Sequence, residues 1–134
     1  MGAVAVRLLL DTHGLLWWLS GDPQLAHAAR QAIGDAESAV FVSAASAWEV
    51  AAKARLGKLP GTESLAQDFA NEIEQHGFLR LAISVDHGQR AGSLPGPHKD
   101  PFDRMLIAQA QAENLVLVSN EAVFDQYGIA RLWD

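Results

Sequence analysis

The stretch that most limits what this chain can fold into is residues 100–121, DPFDRMLIAQAQAENLVLVSNE. Asp100 followed by Pro101 is a helix start: a carboxylate to accept free N–H groups, then a ring already fixed at helical φ. Asp103 sits one turn in. Asn114 and Leu115 end that helix and begin an apolar strand, LVLV, which Ser119, Asn120 and Glu121 close on a polar cluster. Acids therefore lie at a helix start and just past a strand end. In an open parallel sheet those two places share one edge, the edge at which ligands bind.

The rest of the chain repeats this alternation. Residues 4–10 are an apolar run broken only by Arg7, which suits a strand buried on both faces, and Asp11 ends it at the same edge. Residues 14–19, GLLWWL, read as helix. Their Trp17 and Trp18 are too large to expose cheaply and should pack in the core or at an interface. Asp22-Pro23 predicts a second helix start, with Leu25, Ala29, Ala32 and Ile33 on one face and Gly34 as the stop. A strand at 39–42 leads through Ser43, a cap, into a helix that Gly57 ends. A helix capped by Thr62 or Ser64 buries Leu65, Phe69 and Ile73 and ends at Gly77. A strand at 79–83, a helix at 84–91 and a loop at 92–99 lead to Asp100. After the strand at 115–118 come a short helical piece at 121–127 and an edge strand at 129–133. This order predicts an α/β fold: a three-layer α/β/α sandwich around a mostly parallel central sheet, as a single domain over residues 1–134.

Composition narrows the function. Hydrophobic residues make up 49% of the chain, enough for a packed core and against disorder. The net charge of −6 argues against a broad basic surface for double-stranded nucleic acid. It leaves room for a nucleic-acid enzyme, because carboxylates that hold divalent cations make an acidic cleft. Cysteine is absent, so thiolate zinc sites and disulfides are excluded, and a reducing, cytoplasmic location is expected. The apolar start is cut short by Asp11 and reads as a strand, with no signal peptide or membrane span expected.

Each acid, taken singly, has an ordinary structural role. Asp11 and Asp100 can cap helices, and Asp103 and Glu121 can complement helix dipoles. Glu49 can pair with Lys53 one turn on. Taken together they form a pattern. Asp11, Asp100, Asp103 and Glu121 all map to the carboxyl edge of the expected sheet, and Glu49 lies on the helix that leaves that edge. Anions sharing one cleft raise each other's pKa, and a divalent cation removes the cost. An all-oxygen set without cysteine suits Mg²⁺ or Mn²⁺, and such sites act on phosphates. His13 reads as a helix-start residue or a ligand. His98 and Lys99 read as solvated loop or phosphate contact. Lys53, Arg55 and Lys58 make a basic stretch that is a solvated helix face or a hold on a nucleic-acid backbone. No G-x-S-x-G, P-loop or G-x-G-x-x-G motif occurs.

Four separated stretches carry a resemblance: LLLDTHGLLWWL, VSAASAWEVAAKARLGKL, HKDPFDRMLIAQAQAENLVLVSNE and FDQYGIARLW. In this order, and over nearly the whole chain, they resemble PIN-domain proteins, specifically the VapC-type ribonuclease toxins of bacterial type II toxin–antitoxin pairs. The resemblance maps the family's acids onto Asp11, Glu49 and Asp103, with Asp100 an additional nearby acid. The family's last acid is usually Asp in a T-x-D pattern. Here Ser119-Asn120-Glu121 stands in its place, so Glu121 would complete the pocket, directly, through water or with Asn120 taking part. The resemblance implies Mg²⁺-dependent hydrolysis of RNA by activated water, with Asp11, Glu49, Asp103 and Glu121 catalytic and Asp11, Asp103, Glu49 and Asp100 as metal ligands. Thr12 and Ser119 would support these side chains. It also implies a homodimer and a cognate VapB-type antitoxin. The alternatives are a non-catalytic PIN-fold module that binds RNA or protein, and an α/β phosphatase-like or receiver-like protein phosphorylated on Asp11. The second alternative lacks the companion acid that such sites place beside the first.

Overall fold

The computed structural model describes residues 6–96 and 98–134. Five strands form one sheet: β1 (Arg7–Leu10), β2 (Ala39–Ser43), β3 (Leu79–Leu81), β4 (Val116–Val118) and β5 (Arg131–Leu132). Their spatial order is β3-β2-β1-β4-β5, and every pairing is parallel. The sheet expected to be mostly parallel is thus wholly parallel among the described residues. The part of the first strand expected at residues 4 and 5 lies outside them.

β1 explains the layering. Leu8, Leu9 and Leu10 are fully buried, and their side chains alternate between faces. Leu8 and Leu10 enter a core with Leu15, Leu25, Ala29, Ile33, Ile73 and Phe78, under α1 (Thr12–Ser20), α2 (His27–Gly34) and α5 (Phe69–Gln75). Leu9 enters the opposite core with Leu106, Ile107, Ala110 and Phe124, under α7 (Pro101–Glu113) and a 3₁₀ helix at Ala122–Tyr127. Two apolar layers on one sheet give the α/β/α sandwich. Trp17 and Trp18 are half-buried over the first core, Trp17 against Trp133 at 5.8 Å and Trp18 against Phe78 at 6.2 Å between ring centroids. The exposed tryptophan is Trp48, which meets Phe102 edge-on at 4.8 Å.

Three local expectations change. Asp22-Pro23 starts a turn and not a helix. The Asp22 carboxylate accepts the Gln24 N–H at 2.9 Å, and its carbonyl accepts from Leu25 N and the Arg30 guanidinium. The helix begins four residues later, still with Leu25, Ala29 and Ile33 buried. The helix expected from 62 to 77 is broken at Asp68 (φ −140°, ψ 46°) into α4 (Glu63–Gln67) and α5. The strand expected over 79–83 keeps only Leu79–Leu81, because Ser84 turns the chain into α6 (Val85–Ser93) by accepting the His87 N–H.

The sheet order places the site. From β1 the chain steps outward to β2 and β3, then returns to the other side of β1 for β4 and β5. The order reverses between β1 and β4, and the loops leaving those two strands open a crevice there. Leu10 pairs with Val118, so the next residues, Asp11 and Ser119, stand side by side at its floor.

Candidate active site

Asp11 leaves β1 and caps α1, its Oδ1 accepting the Gly14 N–H at 2.7 Å. The carboxylate is nearly buried, and burial pushes its pKa up to about 6, with a further upward push from Glu121. The Ser119 hydroxyl, the Gly14 N–H and His13 offset this in part. Gly14 is required here. A Cβ at that position would lie 2.9 Å from Asp11 Oδ1 and 3.6 Å from the Val118 carbonyl. The sequence reading passed over this glycine, whose only signal is its place three residues after the acid.

Glu49 comes from α3 (Ala44–Arg55), which Ser43 caps through Ala45 N at 3.0 Å. Glu49 is buried and fully engaged by its own chain. The Thr12 hydroxyl donates to Oε1 at 2.6 Å, and the Lys53 ammonium donates to Oε2. Ser46 Oγ lies 3.0 Å from the same threonine oxygen. The hydrogen bond to Glu49 raises the Lys53 pKa, and the charges of Asp100 and Asp103 add to it. The expected i,i+4 pair is therefore present, and it points into the acidic cleft.

α7 brings the two aspartates. Asp100 Oδ1 accepts the N–H groups of Phe102 and Asp103 at 2.8 and 3.1 Å, and Pro101 starts the helix as expected. Leu106, Ile107 and Ala110 press the helix onto the sheet. Buried Gln109 ties it to β2, accepting from the Ser43 hydroxyl at 2.5 Å. So anchored, the helix projects Asp103 into the cleft. Burial and the charges of Asp100, Glu121, Glu49 and Asp11 push the Asp103 carboxyl up to about 8. The other four acids thus all act electrostatically on Asp103.

Glu121 follows β4. Its backbone N–H donates to Ser119 Oγ at 3.1 Å, which turns the chain toward the crevice. Asn120 is exposed. Among the described residues, one set of three groups brings cation-ligating atoms within 4.8 Å of one another: His98, Asp103 and Glu121. The longer glutamate side chain thus reaches the aspartate across the cleft. His98 Nε2 lies 3.0 Å from Asp103 Oδ2. Asp11, Glu49 and Asp100 surround this set without converging as closely. The donors are hard oxygens and one imidazole, a set that fits a divalent cation and offers no thiolate.

The sequence reading left His98 between loop and phosphate contact. The structure puts it against Asp103, and two further residues hold it there: Arg104, which follows Asp103, and Tyr127 on the 3₁₀ helix. The Tyr127 contact joins segments 29 residues apart and leaves no signal in the sequence, while Arg104 lies only six residues on.

A model of the PIN domain matches residues 8–130. Ribonuclease VapC16 of Mycobacterium tuberculosis is 40% identical over 62 residues, a match that spans 46% of this chain and 43% of that protein. The chain therefore aligns with less than half the length of this curated relative. Among solved structures, VapBC2 of Rickettsia felis, bound to a promoter DNA fragment, superposes with a TM-score of 0.68 at 16% identity, covering 96% of this chain and 100% of that one. VapBC-1 of nontypeable Haemophilus influenzae gives 0.63 at 15% identity, over 95% and 97% of the two chains. A toxin–antitoxin complex of Klebsiella pneumoniae gives 0.58 at 23% identity, over 85% and 86%. At these identities the superpositions speak for the fold.

Proposed function

Since the chain belongs to the PIN domain family, we propose that it is a metal-dependent endoribonuclease and the toxin of a type II toxin–antitoxin pair. The observation that carries the proposal is Asp103. One of its carboxylate oxygens and the ligating atoms of Glu121 and His98 lie within 4.8 Å of one another, and burial with four neighbouring acids pushes its carboxyl up to about 8, an arrangement that a divalent cation would stabilise. The ribonuclease named for the partial relative supports RNA as the substrate.

In this reading Asp11, Glu49, Asp103 and Glu121 are the catalytic carboxylates, and Asp11, Asp103, Glu49 and Asp100 are available to hold Mg²⁺ or Mn²⁺, directly or through water. When bound, the cation supplies positive charge and activates water toward a phosphodiester. The chain's own residues fix the geometry. The Gly14 N–H and the Ser119 hydroxyl orient Asp11. Thr12 and Lys53 lock Glu49, and Lys53 also offsets charge at the cleft wall. The Asp100 cap sets the first turn of α7 and so the direction of Asp103.

The reach of Glu121 to Asp103 supports the catalytic reading over a non-catalytic binding module, because the glutamate that stands in place of the usual aspartate still brings a carboxylate oxygen to the acids of the cleft. The toxin–antitoxin complexes among the structural neighbours support a VapB-type antitoxin as partner. The proposal includes a homodimer acting in the cytoplasm, as one domain over residues 1–134. No helix among the described residues is long and apolar enough to cross a membrane. The test is cleavage of a structured RNA by the purified protein with Mg²⁺ or Mn²⁺ and with EDTA. Metal-dependent cutting that disappears in Asp11→Asn and Asp103→Asn is the expected result. Cutting that survives in both variants would sink the assignment.

A further inference from the structure

His98 sits in a loop, yet its backbone is held on both sides and its ring is packed. Its backbone N–H donates to Tyr127 Oη at 3.2 Å, and its carbonyl accepts from Arg104 Nη1 at 3.0 Å. Arg104 also bonds the carbonyls of Ala91 and Leu94, so one guanidinium gathers the whole approach to the helix. The imidazole meets the fully buried Phe124 edge-on at 5.7 Å. The loop is shaped for this approach. Gly96 has φ +97°, and a Cβ there would lie 2.8 Å from the Tyr127 hydroxyl. A histidine that only met solvent would need none of these restraints.

The restraints aim Nε2 at the acids. It lies 3.0 Å from Asp103 Oδ2, and its ligating atom, that of Asp103 and that of Glu121 are all within 4.8 Å of one another. Elsewhere in the cleft, carboxylate oxygens are already engaged by the chain: both Glu49 oxygens by Thr12 and Lys53, and Asp100 Oδ1 by two backbone N–H groups. Resting on the metal-dependent reading above, we propose that His98 is a direct ligand of the cation through Nε2, beside Asp103 and Glu121, and that this nitrogen donor makes the site prefer Mn²⁺ to Mg²⁺. Mg²⁺ is a hard ion that keeps oxygen ligands and several of its waters. Imidazole suits first-row transition ions.

The test is binding of each ion to the purified protein, with Mn²⁺ also read by electron spin echo envelope modulation. Bound Mn²⁺ should show modulation from one imidazole nitrogen. In His98→Gln that modulation should vanish and Mn²⁺ binding should weaken by about tenfold or more, while Mg²⁺ binding changes much less. Asp103→Asn should weaken both ions. Mn²⁺ that binds without nitrogen modulation, or equal weakening of both ions in His98→Gln, would overturn the proposal and leave His98 as a support for Asp103. Failure of both ions to bind the unaltered protein would overturn the metal-dependent reading with it. The spectrum of the unaltered protein decides the matter even if His98→Gln proves poorly folded.

Discussion

The two walls of the cleft handle the same problem differently. On the α3 wall, Glu49 is buried with its charge answered inside the chain, by the Lys53 ammonium and the Thr12 hydroxyl. On the α7 wall, Asp103 is half-buried among four other acids with the His98 imidazole 3.0 Å away, and its carboxyl is pushed up to about 8. One wall sets an ammonium against its single acid, and the other sets one imidazole against several acids and is left in deficit. A fold that only needed a stable edge would complete both, since a buried unpaired charge costs several kcal/mol or is neutralised by a proton. The lesson is that a list of acids does not say which of them a cation serves. The unanswered wall does.

The largest expected effect comes from breaking that wall. Asp103→Asn keeps the shape and removes the charge. RNA cleavage should fall by at least about 100-fold, as losses at metal sites do. The same variant should melt at a higher temperature than the unaltered protein in metal-free buffer at pH 8, because the repulsion is gone. A variant that loses activity and also melts lower would show that Asp103 is a structural cap and nothing more.

A second prediction follows from the direction of the two shifts. Burial pushes the Asp103 and Asp11 carboxyls up to about 8 and about 6 in the folded chain, against the ordinary aspartate value of 3.8. Between those values the folded state holds protons that the unfolded state has released, so stability falls as pH rises. The contribution is complete below 3.8 and is lost as pH passes 6 and then 8. Metal-free protein should therefore melt several degrees lower at pH 8 than at pH 5. Adding Mn²⁺ or Mg²⁺ at pH 8 should restore the loss, since the ion binds only the folded cleft. A flat melting profile over that range, in EDTA, would contradict the deficit on the α7 wall.

How much of this was readable from the sequence depended on range. The sheet and the helix starts were legible where the signal is local. The run of leucines in β1, Ser43 before α3 and Asp100-Pro101 before α7 each act within a few residues. Asp22-Pro23 carries the same local signal as Asp100-Pro101 and yields a turn instead. There the Arg30 guanidinium takes the Asp22 carbonyl and Leu25 drops into the core before the helix begins. Asp11, Asp100, Asp103 and Glu121 could be placed on one edge, with Glu49 on the helix leaving it, because in a parallel sheet strand ends and helix starts share that edge. The imbalance between the walls could not be read. It depends on Thr12 meeting Glu49 across 37 positions of chain and on Tyr127 holding His98 across 29. Side-chain pairings of that range leave no periodicity or spacing behind.

A third prediction tests the floor between the walls. Gly14→Ala puts a Cβ 2.9 Å from Asp11 Oδ1, and the Val118 carbonyl at 3.6 Å limits its escape. The cap must open or the strand end must shift, at a cost of about 1–3 kcal/mol, the usual range for overpacking. Denaturant unfolding measures the cost. A calorimetric titration with Mn²⁺ should show weaker binding, because Asp11 loses the N–H that orients it. Unchanged stability would mean that α1 tolerates a displaced cap and that Asp11 is oriented by Ser119 alone.

The smallest effect, on cation affinity, is the one that sharpens the comparison most. Lys53→Met removes the ammonium and keeps most of the apolar stem, which turns the α3 wall into a second deficit. Glu49 is buried and would keep only the Thr12 hydroxyl, so losing the contact should cost about 1–3 kcal/mol of folding stability, the usual penalty for a buried group left without a partner. Cation binding should move the other way. With Lys53 gone, Glu49 Oε2 is released to the cleft and a competing positive charge near Asp100 and Asp103 is removed, so divalent-ion affinity should rise severalfold. Thr12 still holds Oε1, which keeps the carboxylate in place. If affinity falls instead, Lys53 is positioning Glu49 rather than competing with the ion, and the two walls differ in how they hold a ligand and not in whether they have one to offer.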